Sequence, residues 1–168
     1  MRSPITGESY FLMYDPHFSV PPSVDTDAAL LARPWLLQHL PPASSEVVGQ
    51  ILAAVDALVS NVAQHARLTS EGSLAHSALL LLRTPTHVHL IVADQGPGLP
   101  LETLCGWGAR PGSSLALIRD RLLSRGGTME VASQDWRLRA SASGLAPRPA
   151  PPLRGTAVLC SFPVPGAS

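Results

Sequence analysis

The feature that most constrains this fold is a long amphipathic helix, predicted from about residue 44 to residue 66. At about 100° per residue, its larger apolar side chains fall within one sector of about 120°. They are Val48, Ile51, Leu52, Val55, Leu58, Val59 and Val62. A stripe this wide has to be buried against another layer, so we expect the helix to cover a sheet. Ser44 or Ser45 would cap its first turn.

The strands of that sheet are predicted on both sides of the helix. A short one ends at Asp15-Pro16, and a β-hairpin forms around the turn TPT. A further helix, over residues 113–127, stops at Gly126-Gly127. The predicted strands are residues 10–14, 78–83, 87–94, 128–133 and 156–164. This succession predicts an α+β protein, a two-layer α/β sandwich whose mixed, mostly antiparallel sheet carries its helices on one face.

Length and composition indicate one globular domain over residues 1–168. Hydrophobic residues make up 45% of the chain and charged residues 14%. The 12 basic and 12 acidic side chains cancel, which argues against an electrostatic hold on nucleic acid or on an anionic membrane. We find neither an apolar run of the roughly 18 residues that a membrane span needs nor a signal peptide. A cytoplasmic protein with two reduced cysteines is the expectation.

One stretch does not fit the pattern of strands and helices. Residues 134–154 read QDWRLRASASGLAPRPAPPLR and are rich in Pro, Ala and Ser. Proline cannot donate to a strand ladder. We therefore predict a long Pro-rich surface loop inserted between the last two strands.

The predicted long helix also carries a polar edge beside its apolar stripe. Asn61 and His65 lie four residues apart there, and Ala57 lies four residues before Asn61. An amide and an imidazole one turn apart can bind a ligand. Such an edge, taken alone, is more typical of a solvated helix face.

Two glycine-containing segments change that interpretation. ADQGPG ends a strand with Asp94 and continues through Gly96 and Gly98. The acid can accept a hydrogen bond from an exocyclic amine, and residues without Cβ allow a flat ring to approach the backbone. CGWGARPGSS then runs directly into a helix, where backbone N–H groups form an anion site that suits a polyphosphate.

The order of these motifs resembles that of the GHKL (histidine-kinase-like) ATPase family, whose fold is the Bergerat sandwich. ALVSNVAQHA is similar to its N box, ADQGPG to its first glycine box and PGSSLALIRDRLLSRGGTMEVAS to its second. GTAVLCSFP is similar to its closing Gly-Thr strand. The resemblance covers about residues 20–164. With no room for a histidine-bearing dimerisation helix pair, the chain most resembles the RsbW-type anti-sigma-factor serine/threonine kinases of bacteria.

The resemblance implies ATP and Mg²⁺ as cofactors and assigns a role to each matching position. Asn61 would coordinate Mg²⁺, Asp94 would accept the adenine amine with help from Thr156, and His65 would either contact phosphate or pack the helix. The remaining ATP-binding positions would be the adenine floor (Gly96 and Gly98), the lid (Gly106, Gly108 and Gly112) and the helix start (Ser113 and Ser114).

Three positions depart from the family pattern. Ala57 stands where the family has the glutamate that acts as general base, a function typically worth about 10²–10⁴ in rate. Asp56 cannot replace that glutamate, because it lies about 140° around the helix from Asn61. Ser114 stands where glycine is usual, and Gln64 where a basic residue is common. The nucleotide pocket is therefore expected to be kept and the catalytic machinery to be impaired.

These observations leave three functions open. The first is an ATP-binding regulator of transcription that holds a sigma factor or a STAS-type antagonist by partner switching. The second is an active protein serine kinase that phosphorylates such an antagonist, since phosphoryl transfer depends mainly on positioning and charge stabilisation. The third is a nucleotide-free scaffold. The family commonly dimerises, so a homodimer is also expected.

Overall fold

The computed structural model describes residues 11–19, 33–34, 36–38, 40, 44–65, 77–99 and 114–164, with backbone alone at 11–19, 63–65, 83 and 114. The elements defined there are β1 (Phe11–Ser19), α1 (Ser45–His65), β2 (Ser77–Arg83), β3 (His87–Asp94), α2 (Ser114–Leu123), β4 (Thr128–Ser141) and β5 (Gly144–Pro163).

The five strands form one sheet in the order β1-β2-β3-β5-β4. Each of these neighbouring pairs is antiparallel. Alternate residues of the central strands are buried, such as Val88, Leu90 and Val92 of β3. They share one hydrophobic core with the apolar residues of both helices. The predicted α+β class, with the helices layered on one face of the sheet, is confirmed.

Helix α1 supplies the centre of this core, as its apolar stripe predicts. Ile51, Val55, Leu58 and Val59 are at most 2% exposed. Burying each such side chain contributes roughly 1.5–3 kcal/mol. The helix begins where predicted, since the backbone N–H of Val47 donates to Ser44 Oγ at 3.3 Å, and Ser44 is therefore the N-cap.

The same helix corrects one prediction about membranes. Residues Ser45–Val62 are, by length and composition, apolar enough to cross a bilayer, whereas the sequence reading found no such run. Length and composition alone are weak indicators, because the core helix of a globular domain passes the same test. Here the apolar stripe of this helix packs in the core beside β3 and β5.

The β2–β3 hairpin is confirmed, with Arg83 opposite Val88 and Ser77 opposite Asp94. The predicted end of β1 was wrong. Residues 11–14 pair with β2, but the strand runs through Asp15-Pro16 to Ser19, which pairs again with Ala78 after a shift in register. An irregularity lets an edge strand pass a proline, whose missing N–H then needs no partner.

The predicted Pro-rich loop over residues 134–154 was also wrong. This stretch forms the outer parts of β4 and β5, which fold back on each other as a two-stranded arm. The arm turns at Ala142 and Ser143, between the closing pair Ser141 and Gly144. Register shifts around Gln134, which has a φ of 52°, mark where the arm begins.

The positions of the prolines explain why a strand tolerates them. Pairs alternate between hydrogen-bonded and non-hydrogen-bonded sites along an antiparallel ladder. Counting from the closing pair at the two-residue turn places Pro147, opposite Leu138, and Pro149, opposite Trp136, at non-hydrogen-bonded sites. An N–H there points away from β4, so a proline removes no ladder bond. Sequence composition alone does not reveal this spacing of two.

Candidate functional site

Three polar residues line up across three adjacent strands at one end of the sheet. Thr156 of β5 lies opposite Asp94 of β3 on one side and opposite Ser133 of β4 on the other. Each continues the alternation that places core residues on the helix-facing side of its strand. A hydrophobic surface thus ends in a short polar row, which we call the Asp94 row.

Ser133 is the hydrogen-bonding centre of the Asp94 row, and it is fully buried. Its Oγ accepts from the backbone N–H of Leu99 at 2.7 Å and donates to the carbonyl of Gly155 at 2.9 Å. The Thr156 hydroxyl lies 3.2 Å from the same Oγ. Because the single Ser133 proton goes to Gly155, Thr156 donates to Ser133 and keeps its own lone pairs available. The segment that follows Asp94 is thereby fastened to β4.

Glycines make the close packing around the Asp94 row possible. Gly155 has a φ of 85°, and a Cβ there would lie 1.9 Å from the carbonyl oxygen of Asp94. Gly98 also has a φ of 85°, and its Cβ would lie 2.8 Å from Ser133 Oγ. Both distances are shorter than atoms tolerate, and both φ values disfavour side chains. The glycines therefore allow the segment after Asp94, β4 and β5 to pack backbone against backbone, with no room for a side chain at either position.

Asp94 is the ionisable group of the row, and it is half-buried. Its Oδ1 accepts the backbone N–H of Gly96 at 2.9 Å. Burial raises the pKa of the Asp94 carboxyl above its ordinary value, and the backbone hydrogen bonds from Gly96 and Thr156 partly oppose that rise. A half-buried acceptor on a tightly packed backbone is able to recognise an N–H donor of a ligand.

Helices α1 and α2 run antiparallel on the covered face of the sheet. The ion pair between Glu46 and Arg125 joins the first turn of α1 to the turn that follows α2, and residues up to Ala57 face α2 farther along. The half-buried Asn61 lies one turn beyond Ala57. Asn61 and the first residue of α2, Ser114, therefore lie towards the same end of the helix pair.

Ala57 and Asp56 occupy different surroundings on α1. Ala57 lines a groove between α1 and α2, together with Leu117. Asp56 is half-exposed and forms an ion pair with Arg33 at 3.3 Å. Asp56 thus pairs with Arg33, whereas Ala57 lies in the groove, as expected if Asp56 does not replace the missing glutamate. The other acid of α1, Glu46, is held by Arg125, so both carboxylates of this helix are engaged by arginine.

Neither a family model nor a curated protein matches the chain. Among solved structures it is similar to the histidine kinase domain of a blue-light-activated histidine kinase from Erythrobacter litoralis EL346, at 21% identity and a TM-score of 0.49. It is also similar to the mycobacterial sensor histidine kinase MprB, at 23% identity and a TM-score of 0.45. These matches cover 71% and 70% of this chain, and 45% and 74% of the other chains.

The structure brings together four of the predicted site residues and adds two. Asp94, Gly96, Gly98 and Thr156 meet at the end of the sheet, with Ser133 and Gly155. Asn61 lies on α1. His65 is the last residue of that helix, and only its backbone is described. Ser114 begins α2, also with backbone alone described. Outside the described residues lie Gly106, Gly108, Gly112 and Ser113.

Sequence reasoning missed Ser133, although a signal for it exists. Met129 and Val131 precede it at a spacing of two on β4, and both are fully buried. A serine that continues a buried alternation must satisfy its hydroxyl inside the protein. That rule predicts that the Ser133 hydroxyl is hydrogen-bonded inside the protein. Which backbone groups it binds depends on residues 34 and 22 positions away along the chain.

Proposed function

We propose that this chain is an ATP-binding regulatory protein of the anti-sigma-factor type, which acts by switching between protein partners with little or no phosphoryl transfer. The proposal is carried by the Asp94 row. A half-buried carboxylate there lies beside Gly98 and Gly155, positions where a Cβ would meet neighbouring atoms. Recognition of an adenine ring requires an acceptor for its amine, and tight glycine packing fixes the backbone that carries the Asp94 carboxylate.

Adenine recognition would use the hydrogen-bonding capacity that the Asp94 row keeps available. The Asp94 carboxylate accepts the backbone N–H groups of Gly96 and Thr156, and its two oxygens together offer about four acceptor sites, so capacity remains for the adenine amine. The lone pairs of the Thr156 hydroxyl, which donates to Ser133, can accept from a water or from the ring edge. Gly96 and Gly98 would form the floor under the ring.

The residues present fit Mg²⁺ only as an ion brought by the nucleotide. Among the residues that the structure describes, no group of three or more His, Cys, Asp or Glu side chains could hold a metal. Mg²⁺ commonly uses one or two protein oxygens together with substrate phosphates. The amide oxygen of Asn61 would supply such a ligand near the start of α2, and bound Mg²⁺ would neutralise phosphate charge. His65 and the residues from Gly106 to Ser114 would complete the phosphate side.

Impaired catalysis follows from the side chains of α1. At position 57 a methyl group replaces the expected general base, and Asp56 and Glu46 each pair with an arginine. Without a carboxylate to accept the proton of an attacking hydroxyl, transfer should be slowed by about 10²–10⁴. We therefore place a binding and regulatory role in the cytoplasm ahead of an active kinase. A sigma factor or a STAS-type antagonist is the proposed partner, and a homodimer the proposed assembly.

The first test is calorimetric titration with a non-hydrolysable ATP analogue, with and without Mg²⁺. We expect Mg²⁺-dependent binding that Asp94→Asn weakens by a few kcal/mol, because the amide presents a donor to the adenine amine. Asp135→Asn, which changes an exposed acid of β4, is the matched control and should bind normally. Absence of binding at millimolar analogue would reject the proposal.

A second test separates the regulator from the kinase. Transfer of phosphate from radiolabelled ATP to a STAS-type antagonist should be near background for the natural chain. Ala57→Glu should raise it if the missing base is the cause. Rapid transfer by the unmodified chain would favour the kinase instead.

A further inference from the structure

A groove of about 460 Å³ runs between α1 and α2. Its floor is apolar, and it includes Phe162 of β5 and three helix residues, all at most 7% exposed: Ala54, Ile118 and Leu122. Phe162 lies opposite Val88, six residues along β5 from Thr156. At about 3.3 Å per residue, the groove floor is roughly 20 Å from the Asp94 row.

The walls of the groove leave it open along much of its length. Gly49 and Ala53 are exposed on the α1 side, and a Cβ on Gly49 would meet nothing within 4 Å. Leu117, on the α2 side, is 50% exposed. From Glu46 to Ala57 the α1 wall extends about 16 Å, which is three helical turns. Exposed apolar surface of this shape is typical of protein contact sites.

The rim of the groove is positively charged. Glu46, Arg121 and Arg125 line it, and Glu46 already pairs with Arg125. In the part of the chain that the structure describes, no carboxylate pairs with Arg121, which is exposed in the last turn of α2. Among the described residues, the groove thus offers an apolar floor with the guanidinium of Arg121 unpaired by any carboxylate at its edge.

We propose that this groove binds an amphipathic helix of a partner protein, whose apolar face fills the floor and whose acidic residue pairs with Arg121. Helix-in-groove recognition uses apolar anchors at i, i+3 or i+4 and i+7, and about three turns of helix match the length of the α1 wall. The opposite charge on the partner sets its direction and selects against basic helices. This inference goes beyond nucleotide binding and does not depend on it.

The test uses the whole chain and two labelled helical peptides of about four turns each. Both carry leucine at i, i+4 and i+7; one has glutamate beside this face and the other has lysine there. Fluorescence anisotropy should show the acidic peptide binding about 10-fold more tightly or better. Arg121→Gln should remove that preference and Arg121→Lys should retain it.

A second variant tests the floor and wall separately from the charge. Ala53→Trp should weaken binding of the acidic peptide at least 10-fold by filling the groove, whereas Ala142→Trp, at the exposed turn of the arm, should not. Titration with the ATP analogue serves as an independent readout, because the groove variants should leave it unchanged. The proposal would be overturned if the two peptides bound with equal affinity, or if neither bound at millimolar concentration. It would also be overturned if the groove bound decanoate, a fatty acid, instead of the peptides.

Discussion

The two ends of the helix-covered face use glycine in opposite ways. At the Asp94 row, a Cβ on Gly155 would lie 1.9 Å from the backbone oxygen of Asp94. In the groove between α1 and α2, a Cβ on Gly49 would meet nothing within 4 Å. The first glycine is required by tight contact and a positive φ, while the second lies in an ordinary helix beside unfilled space.

This contrast separates two kinds of candidate site. The Asp94 row is held in one geometry by backbone and by the buried Ser133 hydroxyl, which suits recognition of a rigid ring. The groove is open because its α1 wall carries the small residues Gly49 and Ala53, and a Cβ added at Gly49 has room there. A side chain added at the row should unfold the protein, whereas one added in the groove should leave the fold intact.

The largest expected effect comes from Gly155→Ala. The new methyl group would meet the Asp94 carbonyl, which is backbone and cannot rotate away, and a φ of 85° adds strain. We expect the free energy of unfolding to fall by more than about 4 kcal/mol, a loss that small domains rarely survive. Urea denaturation followed by circular dichroism measures it. A fall of less than 1 kcal/mol would mean that β3 and β5 are farther apart at this point.

A smaller loss should follow Ser133→Ala. The change removes the hydrogen bonds to the Leu99 N–H and the Gly155 carbonyl and leaves both groups without that partner. We expect a destabilisation of about 1–3 kcal/mol and weaker nucleotide binding, because residues 96–99 lose their attachment to β4. Ser143→Ala, at the exposed arm turn, is the control and should change stability by less than about 0.5 kcal/mol. Equal effects of the two variants would contradict this role for Ser133.

Gly49→Ala should have the opposite sign. Alanine is favoured over glycine inside a helix by about 0.5–1 kcal/mol, and the added Cβ has room. The melting temperature should therefore rise, with nucleotide binding unchanged. A fall would show that something already occupies this wall of the groove in the folded chain.

The remaining predictions concern pH. Because the pKa of Asp94 is raised in the folded state, its contribution to stability is fully present below its unfolded value of 3.8 and is lost as pH rises through the folded pKa. The unfolding free energy of the natural chain relative to Asp94→Asn should thus decline as pH rises above 3.8. A difference that does not vary with pH would rule out this shift.

A second titration differs in sign and lies on the other face of the sheet. His89 is half-buried, its Nδ1 lies 2.8 Å from Ser161 Oγ, and its ring stacks on that of His87. Burial, and then the charge of His87, lowers the pKa of His89. Its contribution to stability is present above its unfolded value of 6.5 and is lost as pH falls through the folded pKa. Nucleotide binding should not follow this titration.

Local pattern was a good guide wherever one periodicity decided the structure. The stripe of α1, the Ser44 cap and the β2–β3 hairpin could all be predicted, since each depends on residues close together in the chain. The arm of β4 and β5 could not be predicted, because a strand accepts Pro147 and Pro149 only when the residues opposite them form non-hydrogen-bonded pairs. Ser133 was missed for the same reason, since its partners are distant in sequence.

The sequence by itself determined that a long helix would cover an antiparallel sheet, and that Asp94 would end a strand beside glycines. Those features follow from periodicity and from the conformations open to each residue type. Only the tertiary structure decided that Asp94, Thr156 and Ser133 form one row, that Gly155 touches Asp94, and that an open groove lies beside Ala57. Register and helix packing set these contacts, and both result from the whole chain minimising exposed apolar surface and unpaired polar groups.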